Sequence, residues 1–162
     1  MIGATVKKID WKNLSYYDFI GIVAVTAILL FVLYFGWLWH ATYDYRIQMR
    51  DQMVEMYQHL PNPIPPIKDD YGVHKRWLVY CVTGTREFNR DLKDNEFDLY
   101  GEKLVEQGWQ IDKKYTDSNQ YGKFTCIVLR KGDFLFEITQ WEGKKICRFH
   151  LIKEDWIYNK GF

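Results

Sequence analysis

The sequence predicts a single N-terminal transmembrane helix that continues as a stalk, followed by a small α+β domain. Three observations lead to this fold class: an uncharged apolar stretch over residues 19–39, four prolines within residues 61–66, and short β-like runs around one helical pattern after residue 71. The 162 residues are predicted to divide into a tail (1–14), a transmembrane helix (15–40), a juxtamembrane helical stalk (41–60), a proline-rich linker (61–72) and the α+β domain (73–162).

The apolar stretch from Phe19 to Trp39 has the length and composition of a membrane span. It contains no charged residue, and at about 1.5 Å per residue it forms a helix of roughly 31 Å, close to the thickness of a hydrocarbon core. A buried helix of a soluble protein is the alternative, but uncharged stretches of this length are typical of spans. Aromatic side chains that favour the headgroup level flank both ends, namely Tyr16, Tyr17, Tyr34, Trp37 and Trp39.

The start of this helix is predicted near residue 15, because Ser15 and Asp18 have the spacing of a capping box. A cleaved signal peptide fits less well. The apolar region is longer than the roughly 7 to 15 residues of such peptides, and residues 36–39 are too bulky for a cleavage site. We therefore expect the anchor to be retained.

Basic residues on the two sides of the span predict its orientation. Three lysines precede it, Lys7, Lys8 and Lys12, and two arginines, Arg46 and Arg50, follow it. Cytoplasmic flanks carry the excess of Lys and Arg, so this small bias predicts a cytoplasmic N-terminus. The expected location is a plasma or bacterial inner membrane, with the C-terminal domain on the extracytoplasmic side.

The predicted stalk carries an apolar stripe at helical spacing, formed by Met49, Met53, Met56 and Leu60. Such a stripe must pack against the chain's own domain, a second copy or another subunit, and methionines suit adaptable packing. Because nothing later in the sequence obviously covers it, we predict that it is an exposed partner-binding surface.

Four prolines end the predicted stalk helix, at positions 61, 63, 65 and 66. Proline removes a backbone donor and biases its neighbours to extended conformations, so residues 61–72 are predicted to form a semi-rigid spacer. A ligand for a proline-binding groove is the alternative interpretation.

The C-terminal part predicts a small domain with a β-α-β-β-β order, an antiparallel meander packed against one helix. Asp94 or Asn95 is expected to be the N-cap of this helix and Gly108 its C-terminal stop, with close packing at Gly101. Turn signals at Lys131-Gly132 and Glu142-Gly143 predict tight hairpins. Apolar runs rich in β-branched and aromatic residues predict four or five strands, within residues 76–83, 109–116, 123–131, 133–140 and 144–152.

The three cysteines, Cys81, Cys126 and Cys147, are predicted to be small core residues rather than disulfide partners. In the predicted meander Cys126 and Cys147 lie on strands two apart, a separation of about 9 to 10 Å. A disulfide requires Cα atoms within about 7 Å.

No established catalytic or cofactor motif is present, so neither enzymatic activity nor a bound cofactor or metal is predicted. Cys147 and His150 form a CxxH, but positions three apart on a strand point to opposite faces. A formal net charge of +1 does not provide the basic footprint of a nucleic-acid partner. The predicted loop that contains Arg86 and Arg90 is the best candidate for a polar contact surface.

These observations predict a membrane-anchored structural or accessory subunit of a cell-envelope complex of the secretion, pilus or conjugation type. Its partners would be the lipid bilayer, other membrane-complex subunits and, as an alternative, a second copy. A membrane-tethered sensor or small-ligand-binding module is the competing hypothesis. One helix on a four- or five-stranded sheet encloses little volume beyond its core, which favours the accessory subunit.

Overall fold

The computed structural model describes residues 15–161, and the chain divides into two compact units after Thr42. The three lysines on which the predicted orientation depends, Lys7, Lys8 and Lys12, lie outside the described residues.

The first unit contains helix α1 (Tyr16–Ala41), which begins with the predicted capping box. The hydroxyl of Ser15 accepts a hydrogen bond from the backbone N–H of Asp18 at 3.3 Å, and the Asp18 carboxylate accepts from the Ser15 N–H at 3.1 Å. The helix is long and apolar enough to cross a membrane, and its most apolar window contains no buried residue. A signal sequence near the N-terminus would meet the same criterion. The five aromatic side chains predicted at the headgroup level are exposed on this helix: Tyr16, Tyr17, Tyr34, Trp37 and Trp39.

The predicted continuation of the transmembrane helix through the stalk to residue 60 is wrong, because α1 ends at Ala41 and a second helix, α2, spans Tyr43–Gln58. The Thr42 hydroxyl and backbone N–H both donate to the carbonyl of Leu38, at 2.7 and 3.0 Å. A threonine that bonds back to the preceding turn competes with the regular helical hydrogen bonds, and this accounts for the interruption.

The second unit is an α+β domain built on one six-stranded antiparallel sheet, so the predicted class is confirmed. The sheet order is β1-β2-β6-β5-β4-β3. Strands β3 to β6 form the predicted meander, and β2 pairs with the last of them. The elements after α2 are β1 (Lys68–Arg76), β2 (Val79–Glu87), α3 (Asp94–Glu106), β3 (Gln110–Asn119), β4 (Gly122–Lys131), β5 (Phe134–Trp141), β6 (Ile146–Lys153) and α4 (Trp156–Asn159).

The predicted four or five strands are too few, because β1 lies partly in the segment assigned to the linker. This edge strand is almost entirely exposed and has no alternation of apolar and polar residues. Its structure depends on pairing with β2, in which Asp69 lies opposite Arg86 and Val73 opposite Val82. The linker is therefore shorter than predicted and ends before Lys68.

Helix α2 packs on the sheet beside α3 and forms part of the core of the domain. Met49, Met53 and Leu60 are buried, and Met56 is half-buried against the same cluster. The prediction of an exposed partner-binding line is therefore wrong, and packing on the chain's own domain is the observed alternative. A six-stranded sheet presents a wider apolar face than α3 alone can cover.

Helix α3 and the hairpins follow the sequence signals closely. The N-cap is Lys93 rather than Asp94 or Asn95, and its backbone N–H donates to the Glu96 carboxylate at 2.9 Å. Gly108 follows the helix with a φ of 87°, as its predicted role as a stop requires. Gly132 also has a positive φ, in one of the two predicted tight turns.

Candidate functional site

Arg86 was predicted to lie on a contact loop, but it is a buried residue of strand β2, with 2% of its surface exposed. Its Nε donates to the carboxylate of Asp69 at 2.9 Å, and Nη1 donates to the carbonyl of Pro61 at 3.0 Å. The guanidinium lies 4.8 Å from the centre of the Phe149 ring. A buried guanidinium needs partners of this kind. Arg86 therefore links the end of α2, β1 and the sheet, and it does not provide a surface for partners.

Tyr57 of α2 completes this buried network. Its hydroxyl donates to the second carboxylate oxygen of Asp69 at 3.0 Å, and burial followed by the Asp69 charge raises its pKa above the ordinary value of 10. Burial likewise raises the pKa of the neighbouring Tyr100 to about 12. Both phenols are therefore neutral at physiological pH, and the charges of the network balance within the Arg86–Asp69 pair.

Arg90 differs from Arg86 because it is exposed and lies outside the strands. Its guanidinium donates to both oxygens of Glu96, at 2.6 and 2.5 Å. This pair stabilises the first turn of α3, whose N-terminus favours a negative side chain. Whether Arg90 also contacts a partner stays a prediction.

A groove on the sheet face opposite the helices contains most of the polar chemistry of the domain, and we call it the strand groove. It has a volume of about 550 Å3, within the range of small-ligand pockets. In a flat sheet the outer strands would lie about 24 Å apart, yet both line this groove, so the sheet curves around it. All six strands contribute to its walls, through His74, Cys81, Thr83, Tyr115, Asn119, Phe124, Cys126, Glu137, Thr139, Trp141, Arg148 and His150.

His150 occupies the centre of a polar row across three neighbouring strands. The register places it directly opposite Glu137 of β5 and Thr83 of β2. Its Nδ1 donates to a carboxylate oxygen of Glu137 at 3.3 Å, and Cys81 lies diagonally across from it on β2. The Cys81 thiol, followed by the Glu137 carboxylate, raises the pKa of His150 to about 9. The imidazole is consequently protonated at neutral pH, and its hydrogen bond lowers the pKa of Glu137.

The three cysteines are free thiols in different environments. Cys147 faces the core, where burial raises its pKa to about 12, and Cys126 is buried beneath Tyr115 and Thr139. Cys147 confirms the predicted core role, whereas Cys126 is buried under the strand groove and Cys81 is half-buried on its wall. Cys147 and His150 point to opposite faces, as the strand period predicted. Within residues 15–161 no cluster of His, Cys, Asp and Glu has the arrangement of a metal site.

Two hydrogen-bond donors in the strand groove lack an acceptor among the described residues. Arg148 is exposed and makes no ion pair in this part of the chain. The register places Trp141 diagonally next to it, and the indole N–H of Trp141 is buried and unpaired within residues 15–161. The Trp141 ring packs 6.2 Å from that of Phe124, which in turn lies 6.2 Å from Tyr115. The groove therefore combines unpaired donors with an aromatic wall.

The sequence contained a weak signal for this groove, namely polar residues at every second position of three strands. Cys81 and Thr83 share one face of β2, Glu137 and Thr139 share one face of β5, and Arg148 and His150 alternate with core residues of β6. A solvated sheet face produces the same pattern. Only the curvature and the strand order bring these residues together.

Comparison with protein-family models, with curated proteins and with solved structures found no match to this chain.

Proposed function

We propose that this chain is a bitopic membrane protein whose C-terminal domain binds a small anionic ligand in the strand groove. The observation that carries this proposal is the unpaired pair of donors, Arg148 and the indole of Trp141, on the wall of a groove of about 550 Å3. The exposed guanidinium of Arg148 can donate to a ligand oxygen, and the buried indole N–H beside it is an unsatisfied donor whose burial is unfavourable.

The groove also indicates the chemical class of the ligand. Arg148 and the protonated His150 provide two positive charges, and Glu137 provides one negative charge. The groove therefore favours a negatively charged group such as a carboxylate or phosphate. The aromatic wall that ends at Trp141 suits a flat apolar portion of the same molecule.

Equilibrium binding of 2-naphthoate and of its neutral counterpart 2-naphthalenemethanol to the detergent-solubilised full chain tests this proposal. We expect 2-naphthoate to bind more tightly, and Arg148→Gln to weaken its binding about tenfold by removing a charge-assisted hydrogen bond, roughly 1.4 kcal/mol. The matched control is Arg90→Gln, an exposed arginine outside the groove, which should bind 2-naphthoate like the wild type. Equal affinities for the two probes, or an unchanged affinity of Arg148→Gln, would contradict an anion site.

Membrane anchoring by α1 is the second part of the proposal. Its exposed apolar surface and flanking aromatic side chains support a span in a plasma or bacterial inner membrane. The excess of lysines before the span favours a cytoplasmic N-terminus and an extracytoplasmic groove. Carbonate extraction of membranes tests the anchor, and protease digestion of intact cells tests the location of a C-terminal tag. A tag that is digested only after the membrane is opened would reverse the orientation.

An accessory subunit of a cell-envelope complex is the second candidate function. The supporting observation is the edge strand β3, all ten residues of which are exposed. An exposed edge offers unpaired backbone groups to a strand of another subunit or of a second copy. A photo-crosslinking residue at Ile111 on β3 should then capture that protein, whereas the same residue at the exposed Val105 of α3 should not. Identical crosslinking at both positions would argue against edge pairing.

A further inference from the structure

The half-exposed thiol of the domain belongs to a row of three interacting side chains on three neighbouring strands. Cys81 on β2 lies diagonally across from His150 on β6, and His150 lies opposite Glu137 on β5. The imidazole bonds the Glu137 carboxylate at 3.3 Å on one side, and on the other side Cys81 lines the same groove as its diagonal neighbour. About a third of the His150 and Glu137 side chains is exposed, so the row is accessible from the groove.

We propose that Cys81, His150 and Glu137 form an acyl-transfer site in which Cys81 is the nucleophile. The substrate class is a small ester or thioester whose acyl portion carries a negative charge. A thiol next to an imidazole that a third group holds in place is the arrangement that activates a cysteine for attack on a carbonyl. This deepens the proposed function, on which it rests, because Arg148 would hold the anionic end of the same molecule.

The reaction begins when the Cys81 thiol releases its proton to solvent beside the protonated imidazole. The sulfur attacks the carbonyl carbon, a new S–C bond forms, and the bond between that carbon and the leaving oxygen or sulfur breaks. The leaving group takes a proton from His150 and departs as an alcohol or thiol. The neutral imidazole then takes a proton from a water molecule, whose oxygen attacks the thioester on Cys81. This releases the carboxylic acid, and the sulfur regains a proton from solvent.

Glu137 acts through His150 and is a positioning residue. Its carboxylate accepts the hydrogen bond from Nδ1, which fixes the plane of the ring and stabilises the imidazolium. Arg148 lies on the same face, diagonally next to Glu137, and four register positions from Cys81, which is about 13 Å at roughly 3.3 Å per residue. The arginine side chain and the acyl chain together would span this separation. No local sequence motif marks this site, because its members come from three separate strands.

The test uses the full chain in detergent with two probes, the anionic mono-4-nitrophenyl succinate and the neutral 4-nitrophenyl butyrate. We expect a burst of 4-nitrophenolate with the anionic probe and one acyl group per chain by intact mass, located on Cys81 by peptide mapping. Cys81→Ala should abolish this adduct, and His150→Gln should slow its formation about 100-fold, the smaller end of the usual range for acid–base catalysis. Acylation of Cys126 or Cys147 at a similar rate, or an unchanged rate in His150→Gln, would overturn the proposal.

Glu137→Gln separates positioning from a general effect on the fold. In this variant acylation should slow about tenfold, and NMR titration of the His150 ring should move to lower pH, whereas a purely structural role would leave that titration in place. Arg90→Gln should be acylated like the wild type. Binding of 2-naphthoate without acylation would overturn this inference and leave the ligand site standing. Acylation that does not discriminate between the two probes would count against the anion site instead.

Discussion

The ring of Tyr57 lies directly against the backbone of Gly84, so that only glycine fits at this position of β2. A Cβ built on Gly84 would lie 2.5 Å from Cε2 of Tyr57 and closer still to Cζ and the hydroxyl oxygen. Tyr57 is buried and bonded to Asp69, so it has no free rotation with which to make room. Close approach of α2 to the sheet therefore depends on the absence of one side chain.

Two glycine substitutions in this domain should change stability in opposite directions. Gly84→Ala should destabilise the domain by about 1 to 3 kcal/mol, the usual cost of overpacking a core. Gly101→Ala should be stabilising by up to about 1 kcal/mol, because its Cβ would meet Ile127 at an ordinary 3.5 Å and alanine favours the helix. Urea denaturation of the full chain in mild detergent, followed by near-ultraviolet circular dichroism, measures both. A Gly84→Ala variant as stable as the wild type would contradict the packing described for Tyr57.

The two arginines singled out by the sequence should behave differently when replaced. Asp69→Ala leaves the buried guanidinium of Arg86 without its carboxylate and should cost about 3 kcal/mol or more. Arg86→Met removes the buried charge but keeps most of the side-chain volume. The double variant Arg86→Met with Asp69→Asn should therefore lose less unfolding free energy than Asp69→Ala alone. Arg90→Ala, which breaks only an exposed pair, should leave the urea midpoint nearly unchanged. A large loss of stability in Arg90→Ala would show that the burial of an ion pair does not determine how much its removal destabilises the domain.

The His150–Glu137 pair should make stability depend on pH in a defined window. The pKa of His150 is raised from 6.5 to about 9, so its contribution is complete below pH 6.5 and is lost as the pH rises through 9. The pKa of Glu137 is lowered from 4.5, so its contribution is present above that pH and is lost as the pH falls. The pair therefore stabilises the fold most between pH 4.5 and pH 6.5, where both contributions are complete.

His150→Gln should remove the loss of stability that the wild type shows as the pH rises through 9. Because the pair is partly solvated, we expect the difference in unfolding free energy between wild type and variant to shrink by only about 1 kcal/mol from pH 6 to pH 9. Urea denaturation at both pH values measures it. A constant difference across that range would show that the imidazole does not change its protonation there.

Truncation should show where the folded domain begins. A fragment of residues 43–162 keeps α2 and should fold on its own, whereas residues 73–162, the predicted domain, should not. The shorter fragment lacks Met49, Met53 and Tyr57, which fill the core, and each contributes roughly 1.5 to 3 kcal/mol of burial. Together they approach the entire stability of a typical domain. Circular dichroism and cooperative urea unfolding distinguish the two fragments, and a cooperatively folded shorter fragment would contradict the role of α2.

Local signals explain which parts of the fold could be predicted from the sequence. The capping box at Ser15 and the glycine stop at Gly108 act within a few residues of their helix ends, and the predicted hairpin at Gly132 has a two-residue turn. The edge strand β1 was missed because it is polar, and its register is imposed by β2. The stripe on α2 was recognised as apolar, but the surface that covers it comes from distant strands.

The candidate site was less accessible to prediction than the fold. Arg86 and Arg90 have the same chemistry in the sequence, and only the strand register determines that one is buried and the other exposed. Similarly, Cys81 and His150 meet because β2 pairs with β6, which no local pattern indicates. Residues of this kind become a site only through tertiary contacts.

The pairing of β2 with β6 also determines the order in which this domain can be completed. Hairpins such as β1–β2 and β4–β5 join neighbouring segments and close short loops, which is fast. Strand β2 cannot complete its pairing until β6 is synthesised, and β6 follows α3 and three further strands in the sequence. Until then its inner edge is an unpaired template for other strands in the cell. A nascent chain of this protein therefore carries its greatest risk of aggregation in the interval between the synthesis of Glu87 and that of Lys153, the last residue of β6.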